Sequence, residues 1–400
     1  MAYICMVVDA SYPKDVRVRK EAEALQKSGK NVLVVCPSYN NLKNENINGV
    51  EVYRLGKNYS NYKKGIFDVI ESVFDINLFF LFGLKKVFKK YDIEFLHIHD
   101  LPLAGTGYFF RKKVKKIILD LHENYPEALQ VWFKWNKNPL KRLKNSIFMN
   151  HKSWVKKEKK YCKLYDNVIC VVEEMQRKII SNFDINSAKT LVISNQEERN
   201  FLVDSVDKGI INENDFSITY IGGIGPHRGI DTVIKSMRII SKEVPNVRFN
   251  IIGSGSKATM VYLKDLTREY EVEDHVVFMS YKPFNQIGAI MNQSKINIIP
   301  HNKSGHTDNT IPHKLFQIML SKGMLLVSSC DPLKRIVETY NSGFVFEADN
   351  DVDLASVVVD IYNNYGQYEE RIVNGYNAAI EKENWELESL KLIEFYDTIN

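Results

Sequence analysis

The 400-residue chain has five cysteines, and none belongs to a CxxC or CxxH pair. They stand at 5, 36, 162, 170 and 330, odd in number and scattered, which speaks against a disulfide frame or a zinc site and for the reduced thiols of a cytosol. Long apolar runs are missing as well. The most apolar, "INLFFLFGL", is far too short to span a bilayer. A strand-like "YICMVV" begins almost at Met1, so no signal peptide is expected and the location is expected to be cytoplasmic. Tandem repeats and low-complexity tracts are absent too. Charge of one sign is nearly balanced by the other: 54 Lys and Arg against 49 Asp and Glu leave +5. An apolar share of 44% and a charged share of 26% fit a soluble globular protein, and the length exceeds what one core serves, so two domains are expected.

The small net charge is unevenly spread. Arg111 to Lys163 carries RKKVKK, KWNKNPLKRLK and HKSWVKKEKKYCK, with Trp132, Phe133, Trp135 and Trp154 interleaved. Basic and aromatic residues together suit an anionic membrane surface, which would make the protein peripheral on the inner membrane face. A lysine-rich solvated surface is the alternative. Nucleic acid is not expected as a partner, because no nucleic-acid motif accompanies the charge.

What the chain does have is a rhythm. "YICMVVD", "NVLVVC", "VEVYRL", "FLHIHD", "KIILDLH", "NVICVV" and "TLVIS" are short β-rich runs separated by helical patterns. Several are almost continuously apolar, as strands of a parallel sheet covered on both faces should be. A polar stretch, "NQEERNFLVDSVDKGIINEND", interrupts the pattern, and "FSITYIG", "VRFNIIG", "HVVFMS", "INIIP", "MLLVSS" and "GFVFE" resume it. The expectation is α/β: two doubly wound, Rossmann-like domains facing across a cleft, residues 1–195 and 216–375, joined by a linker at 196–215. Ligands of such sheets bind beyond the carboxyl ends of the strands.

"YIGGIGPHRGID" lies at such an end. Its glycines, at 222, 223, 225 and 229, do not give the GxGxxG spacing, and the next strand ends in glycines rather than an acid, so NAD is not expected. Phosphate fits better. Ile230, Val233, Ile234 and Met237 mark a helix whose N-terminus favours an anion, with Arg228 as a fixed charge beside it. "HTDNTIPHKLFQIML" repeats the design. Pro312 fits a first helical turn, Asn309 or Thr310 is the expected cap, and Lys314 and Gln317 share a face. If the two helix ends converge, they make a diphosphate site.

Other candidates read more blandly. Asp351 and Asp353 precede a helical pattern, where acids suit the dipole, and Glu173 and Glu174 open another. His97 and His99 share one face of a strand with no third ligand nearby in sequence, and His301, His306 and His313 match no helical ligand pair. No metal is expected.

In this order, the motifs resemble the retaining GT-B glycosyltransferases, in particular glycosyltransferase family 4, over nearly the whole chain. "YIGGIGPHRGIDTVIKSM" is similar to the opening of that family's second domain, and "FNIIGSG", "VVFMSYKP" and "DNTIPHKLFQIMLSKGMLLVSS" follow in family order. "SYPKDVRVRKEAEALQKSGKNVLVV", "HIHDLPL" and "LDLHENYP" resemble a bacterial subgroup that builds cell-surface polysaccharides. "ENWELESLKLIEFY", within 376–400, resembles the helix that crosses back to the first domain.

The resemblance implies a donor domain at 216–375, an acceptor domain at 1–195, and transfer from a nucleotide diphosphate sugar, UDP or GDP, to a glycan or lipid-linked acceptor with no other cofactor. Gly222, Gly223 and Gly253 would lie along the donor, with Arg228 and Lys314 as counter-charges to the leaving diphosphate in place of a metal. Thr310 and Ile311 would offer backbone amides. Asn309 would meet the donor sugar, Gln317 the ribose hydroxyls, and Tyr281 the base. His122 would face the donor sugar, while Asp15, Arg17, Asp100 and Glu123 would line the acceptor side. The chain departs from the family at Gly223, usually arginine, at Asn309 and Gln317, usually glutamates, and at Lys322, Gly323 and Met324. Two alternatives stand beside this reading: a nucleotide-sugar epimerase of the same two-domain fold and, on Gly223, Asn309 and Gln317, an inactive binding partner.

Overall fold

The computed structural model describes residues 2–39, 41–57, 59–132, 150–202, 205–207 and 209–399. Its contacts divide into two compact units. The described residues of Met1–Leu129, Asn138–Ser194 and Ser389–Asn400 form one, and those of Gln130–Lys137 and Asn195–Glu388 form the other.

The first unit is built on an eight-stranded sheet. Its strands are β1 (Tyr3–Val7), β2 (Val32–Pro37), β3 (Glu45–Ile47), β4 (Val50–Leu55), β5 (Ile93–His99), β6 (Lys116–Leu121), β7 (Asn167–Cys170) and β8 (Thr190–Val192). The order is β3-β4-β2-β1-β5-β6-β7-β8, parallel except for β3 against β4. Strand β2 is buried at every residue, as a helix-covered parallel strand should be. The helix Val16–Lys27 follows β1; Asp15 caps it by accepting from the Val18 amide at 3.1 Å. Val18, Ala22 and Leu25 on one of its faces are fully buried. Truncating Leu25 to alanine there costs about 2–5 kcal/mol.

Strand β3 was not among the sequence expectations. Asn48 and Gly49 turn it into β4 with φ of 51° and 86°, and that Asn-Gly pair is itself a hairpin signal. The short, polar Glu45–Ile47 lacks the apolar run by which the other strands were read.

The second unit has six parallel strands: β9 (Phe216–Ile221), β10 (Val247–Ile252), β11 (Val276–Met279), β12 (Ile296–Ile299), β13 (Leu325–Ser328) and β14 (Phe344–Phe346), in the order β11-β10-β9-β12-β13-β14. Its core packs Ile218 and Phe249 of the sheet against Val233 and Met237 of the helix Ile230–Glu243. Each such side chain stabilises the fold by roughly 1.5–3 kcal/mol. Asp351 and Asp353 open the helix Asp351–Asn364, and Glu173 and Glu174 open Glu173–Phe183. The helix Trp385–Thr398 belongs to the second unit up to Glu388 and to the first from Ser389.

Among the described residues no helix is long and apolar enough to cross a membrane. Within the basic tract, Phe133 and Trp135 lie outside the described residues. Trp154 is only 3% exposed, packed on Tyr125 with ring centroids 4.7 Å apart. It is a core residue and offers no aromatic surface to a membrane.

Candidate nucleotide site and a buried histidine cluster

In the second unit, β9 runs straight into the glycine loop. The Gly222 amide donates to Ile252 O at 2.9 Å and the Ile224 amide to Ser254 O at 2.9 Å, which lays the loop along the turn after β10. Gly253 makes this possible: a Cβ there would stand 1.9 Å from Gly222 O. Its place is therefore beneath the loop, as the surface on which Gly222 rests. Gly229 has φ of 64° and is packed so tightly that a Cβ would fall 1.6 Å from Pro300 O. From that turn the helix Ile230–Glu243 starts, with Arg228 immediately before it.

The second helix end does converge on this loop. Lys314, in the helix His313–Leu320, brings its Nζ 2.9 Å from where a Gly222 Cβ would be and 3.9 Å from the centroid of the Tyr220 ring. The Tyr220 hydroxyl donates to Gly223 O at 2.6 Å. The Lys314 ammonium is buried and without a hydrogen-bond partner among the described residues; burial first, and then Arg228, hold its pKa well below 10.5. Arg228 Nη1 lies 2.9 Å from His301 Nε2. A guanidinium can only donate, so His301 accepts there as a neutral imidazole.

Three histidines surround Arg228. The His227 ring is 5.3 Å from His306 and 6.4 Å from His301 between centroids. Burial and then Arg228 push His227 down to about 2 and His306 to about 4, and hold His301 well below 6.5. Arg228 acts on Lys314, His227, His301 and His306 alike, and Lys314 acts on His227 and His301 as well. A glycine turn with Arg228 and Lys314 beside it suits a polyanion.

The expected capping of the second helix is corrected. Neither Asn309 nor Thr310 caps it. Pro312 itself occupies the N-cap position, and no side chain bonds the first turn. Proline confines the residue before it to extended backbone, so the chain stays non-helical through Ile311. Asn309 closes a short 3-10 turn, and its Nδ2 donates to Gly305 O at 2.8 Å. The Thr310 and Ile311 amides make no hydrogen bond to the described residues. Gln317 donates from Nε2 to Glu197 Oε2 at 2.8 Å. Tyr281, beyond β11, is 71% exposed.

In the first unit the candidates gather at the carboxyl ends of β5 and β6. The His122 amide donates to Asp100 Oδ1 at 3.2 Å, its Nδ1 lies 3.6 Å from Asp100 Oδ2, and its Nε2 is 2.9 Å from His99 Nδ1. Burial opposes its charge, but Asp100 and Asp120 outweigh burial and lift the imidazolium to about 10. Glu123 follows, half-buried. Asp15 is spent on its helix cap.

Arg17 is corrected from its expected place lining the acceptor side. It is 5% exposed, and it donates to Asp120 from Nη2 at 2.9 Å and to Ile193 O at 2.7 Å. Its Nε lies 3.0 Å from Glu21. Helical phase decides this: Arg17 is one residue from Val18, on the buried side of an amphipathic helix.

The ligand set at His97 and His99 is larger than their sequence neighbourhood showed. Their rings stack with centroids 4.3 Å apart, and donor atoms of Glu21, His97, His99 and Asp120 lie within 4.8 Å of one another. Arg17 supplies the positive charge among them, and His97 Nδ1 bonds the Tyr396 hydroxyl at 2.8 Å. These distant partners were invisible in sequence because β1, β5 and β6 bring them together only across the sheet.

Residues 15–195 match the family described as Glycosyltransferase Family 4, and residues 204–378 that of Glycosyl transferases group 1. An uncharacterised glycosyltransferase of Haemophilus influenzae is 24% identical over 149 residues, which are 37% of this chain. The match spans only 40% of that curated relative's length. Sucrose-phosphate synthase of Thermosynechococcus elongatus superposes with a TM-score of 0.81 at 15% identity, covering 100% of this chain and 99% of its own. Anabaena HepE, solved in complex with UDP-glucose, does so with a TM-score of 0.72 at 12% identity, covering 100% of both. Two parallel-sheet units of this fold, each matched by its own glycosyltransferase family, make the chain a GT-B glycosyltransferase of the family 4 type.

Proposed function

We propose that this glycosyltransferase moves a sugar, with its anomeric configuration retained, from a nucleotide diphosphate sugar to a glycan or lipid-linked acceptor in bacterial surface-polysaccharide assembly. The observation that carries the donor half is the approach of Lys314 to Gly222, with Arg228 as the charged group acting on it. A diphosphate along Gly222 and Gly223 would supply the missing negative charge. As the bond from the anomeric carbon to the diphosphate breaks, charge grows on the leaving oxygens, where Arg228, Lys314 and the Thr310 and Ile311 amides would stabilise it. The acceptor hydroxyl forms the new bond, and its proton passes to a leaving phosphate oxygen. That HepE was solved with UDP-glucose supports a UDP-sugar as the first donor to try.

On the first unit, the charged His122 would hold a sugar hydroxyl at the carboxyl end of β6. The resemblance of the front motifs supports a surface-polysaccharide acceptor. A peripheral membrane location rests on exposed lysines, now joined by exposed Phe82 and Phe109, whose rings both lie within 5.5 Å of Lys85 Nζ.

Nucleotide sugars incubated with the protein and a lipid-linked or glycan acceptor test the reading. Acceptor-dependent release of a nucleoside diphosphate, with the sugar on the acceptor in its original configuration, supports it. Conversion of the donor sugar with no acceptor present would instead make the protein an epimerase.

A further inference from the structure

Gln317 stands where the resembling family places a glutamate for the ribose hydroxyls, and a glutamine amide can present either its donor or its acceptor atom. Its neighbour removes that freedom. Glu197 is 2% exposed and fixed along its backbone, where its carbonyl accepts from the Trp385 amide at 2.9 Å and it bridges to Asn384. Its Oε1 accepts from the Glu198 amide at 3.0 Å, leaving Oε2 to face Gln317 at 2.8 Å. A carboxylate only accepts, so the amide nitrogen must turn toward Glu197 and the oxygen away from it. Gln317 is half-buried, and its Oε1 makes no hydrogen bond to the described residues. Gln317 also lies three residues after Lys314, on the face of the helix His313–Leu320 that carries the ammonium to Gly222.

We propose that Glu197 is a positioning residue for the donor's ribose: by fixing the Gln317 amide with its oxygen outward, it gives a neutral glutamine the acceptor role toward the ribose diol. The inference rests on the nucleotide-diphosphate reading of the Gly222, Arg228 and Lys314 site. It names a carboxylate that no family motif in this chain contains, and it gives a physical reason for the glutamine. With the Glu197 carboxyl facing position 317 at hydrogen-bond distance, a glutamate there would set two carboxyl groups side by side.

Calorimetry separates the two layers. Dissociation constants are measured for whichever of UDP, GDP and ADP binds wild type, for its 2′-deoxy counterpart, and for inorganic pyrophosphate, which has no ribose. Wild type is expected to prefer the ribose form by about tenfold, as loss of one to two hydrogen bonds implies. In Glu197→Gln the facing amide can donate or accept, Gln317 can turn over, and the preference is expected to fall to about threefold or less with pyrophosphate affinity unchanged. The exchange Glu197→Gln with Gln317→Glu keeps an N–H···O contact and is expected to restore the preference. An unchanged ribose preference in Glu197→Gln, equal weakening of nucleotide and pyrophosphate, or no recovery in the exchange overturns the inference alone. Failure of wild type to bind any of the three nucleotides overturns the donor reading and this inference with it.

Discussion

The Lys314 ammonium sits 3.9 Å above the Tyr220 ring, buried, with no hydrogen-bond acceptor among the described residues. The ring face offsets part of its lost hydration. Its folded pKa lies well below 10.5, so the unfolded chain binds more protons in the interval between the two values. Stability without ligand therefore rises with pH across that interval. Lys314→Met should remove this slope and stabilise the unliganded protein by about 1 kcal/mol at pH 7. It should also weaken nucleoside diphosphate binding by about 10- to 100-fold, the worth of one charged hydrogen bond. Urea denaturation at pH 7 and 9.5, with calorimetry, checks both.

The histidines around Arg228 should make donor binding proton-linked. His227 and His306 are held at about 2 and about 4, and His301 well below 6.5, so all three are neutral at pH 7. Depressed folded values mean that their contribution to stability is present above pH 6.5 and is lost as pH falls through the folded values. A bound diphosphate reverses the local field and raises all three. Binding of a nucleotide sugar, whose diphosphate has no proton to exchange near neutrality, should take up protons and tighten from pH 7 to 5.5. Calorimetry in buffers of different ionisation enthalpy measures the uptake; His301→Asn should reduce it.

Asp120 holds the first unit's buried charges together. Arg17 and Asp120 are 5% and 0% exposed and 2.9 Å apart. Asp120→Asn leaves the guanidinium without its full counter-charge and should cost about 3–5 kcal/mol in urea denaturation. His122 titrates the other way. With a folded value near 10, its stabilisation is complete below pH 6.5 and is lost as pH rises toward 10. His122→Gln should flatten stability over that range and lower turnover.

Gly229→Ala should damage the nucleotide site through the backbone. The new Cβ meets Pro300 O at a positive φ, so either the turn or β12's end must shift. A loss above about 1 kcal/mol is expected, together with weakened nucleotide binding, because Arg228 leaves the same turn. Thermal melts with and without nucleotide read both effects.

Much of this was legible in the chain. Continuous apolar strands such as β2 declare a covered parallel sheet, and the helix face of Val18, Ala22 and Leu25 is visible as spacing. Arg228 and Lys314 could be named because each sits at a strand-to-helix junction. Their convergence could not, since it depends on β9 and β12 pairing in the sheet. The pairing of Arg17 with Asp120 and of Gln317 with Glu197 spans 103 and 120 residues, a separation no periodicity reports. Of the histidines near Arg228, His301 and His306 were visible only as part of a failed metal pattern with His313. Their meaning comes from the cations beside them.

The most direct test is ligand stabilisation of wild type and Arg228→Ala by UDP, GDP, ADP, CMP and NAD. A ligand at about a hundred times its dissociation constant adds roughly 2.7 kcal/mol to the folded state. The account predicts stabilisation by a nucleoside diphosphate that is lost in Arg228→Ala. Stabilisation by NAD alone, or by a nucleoside diphosphate equally in both proteins, would contradict it.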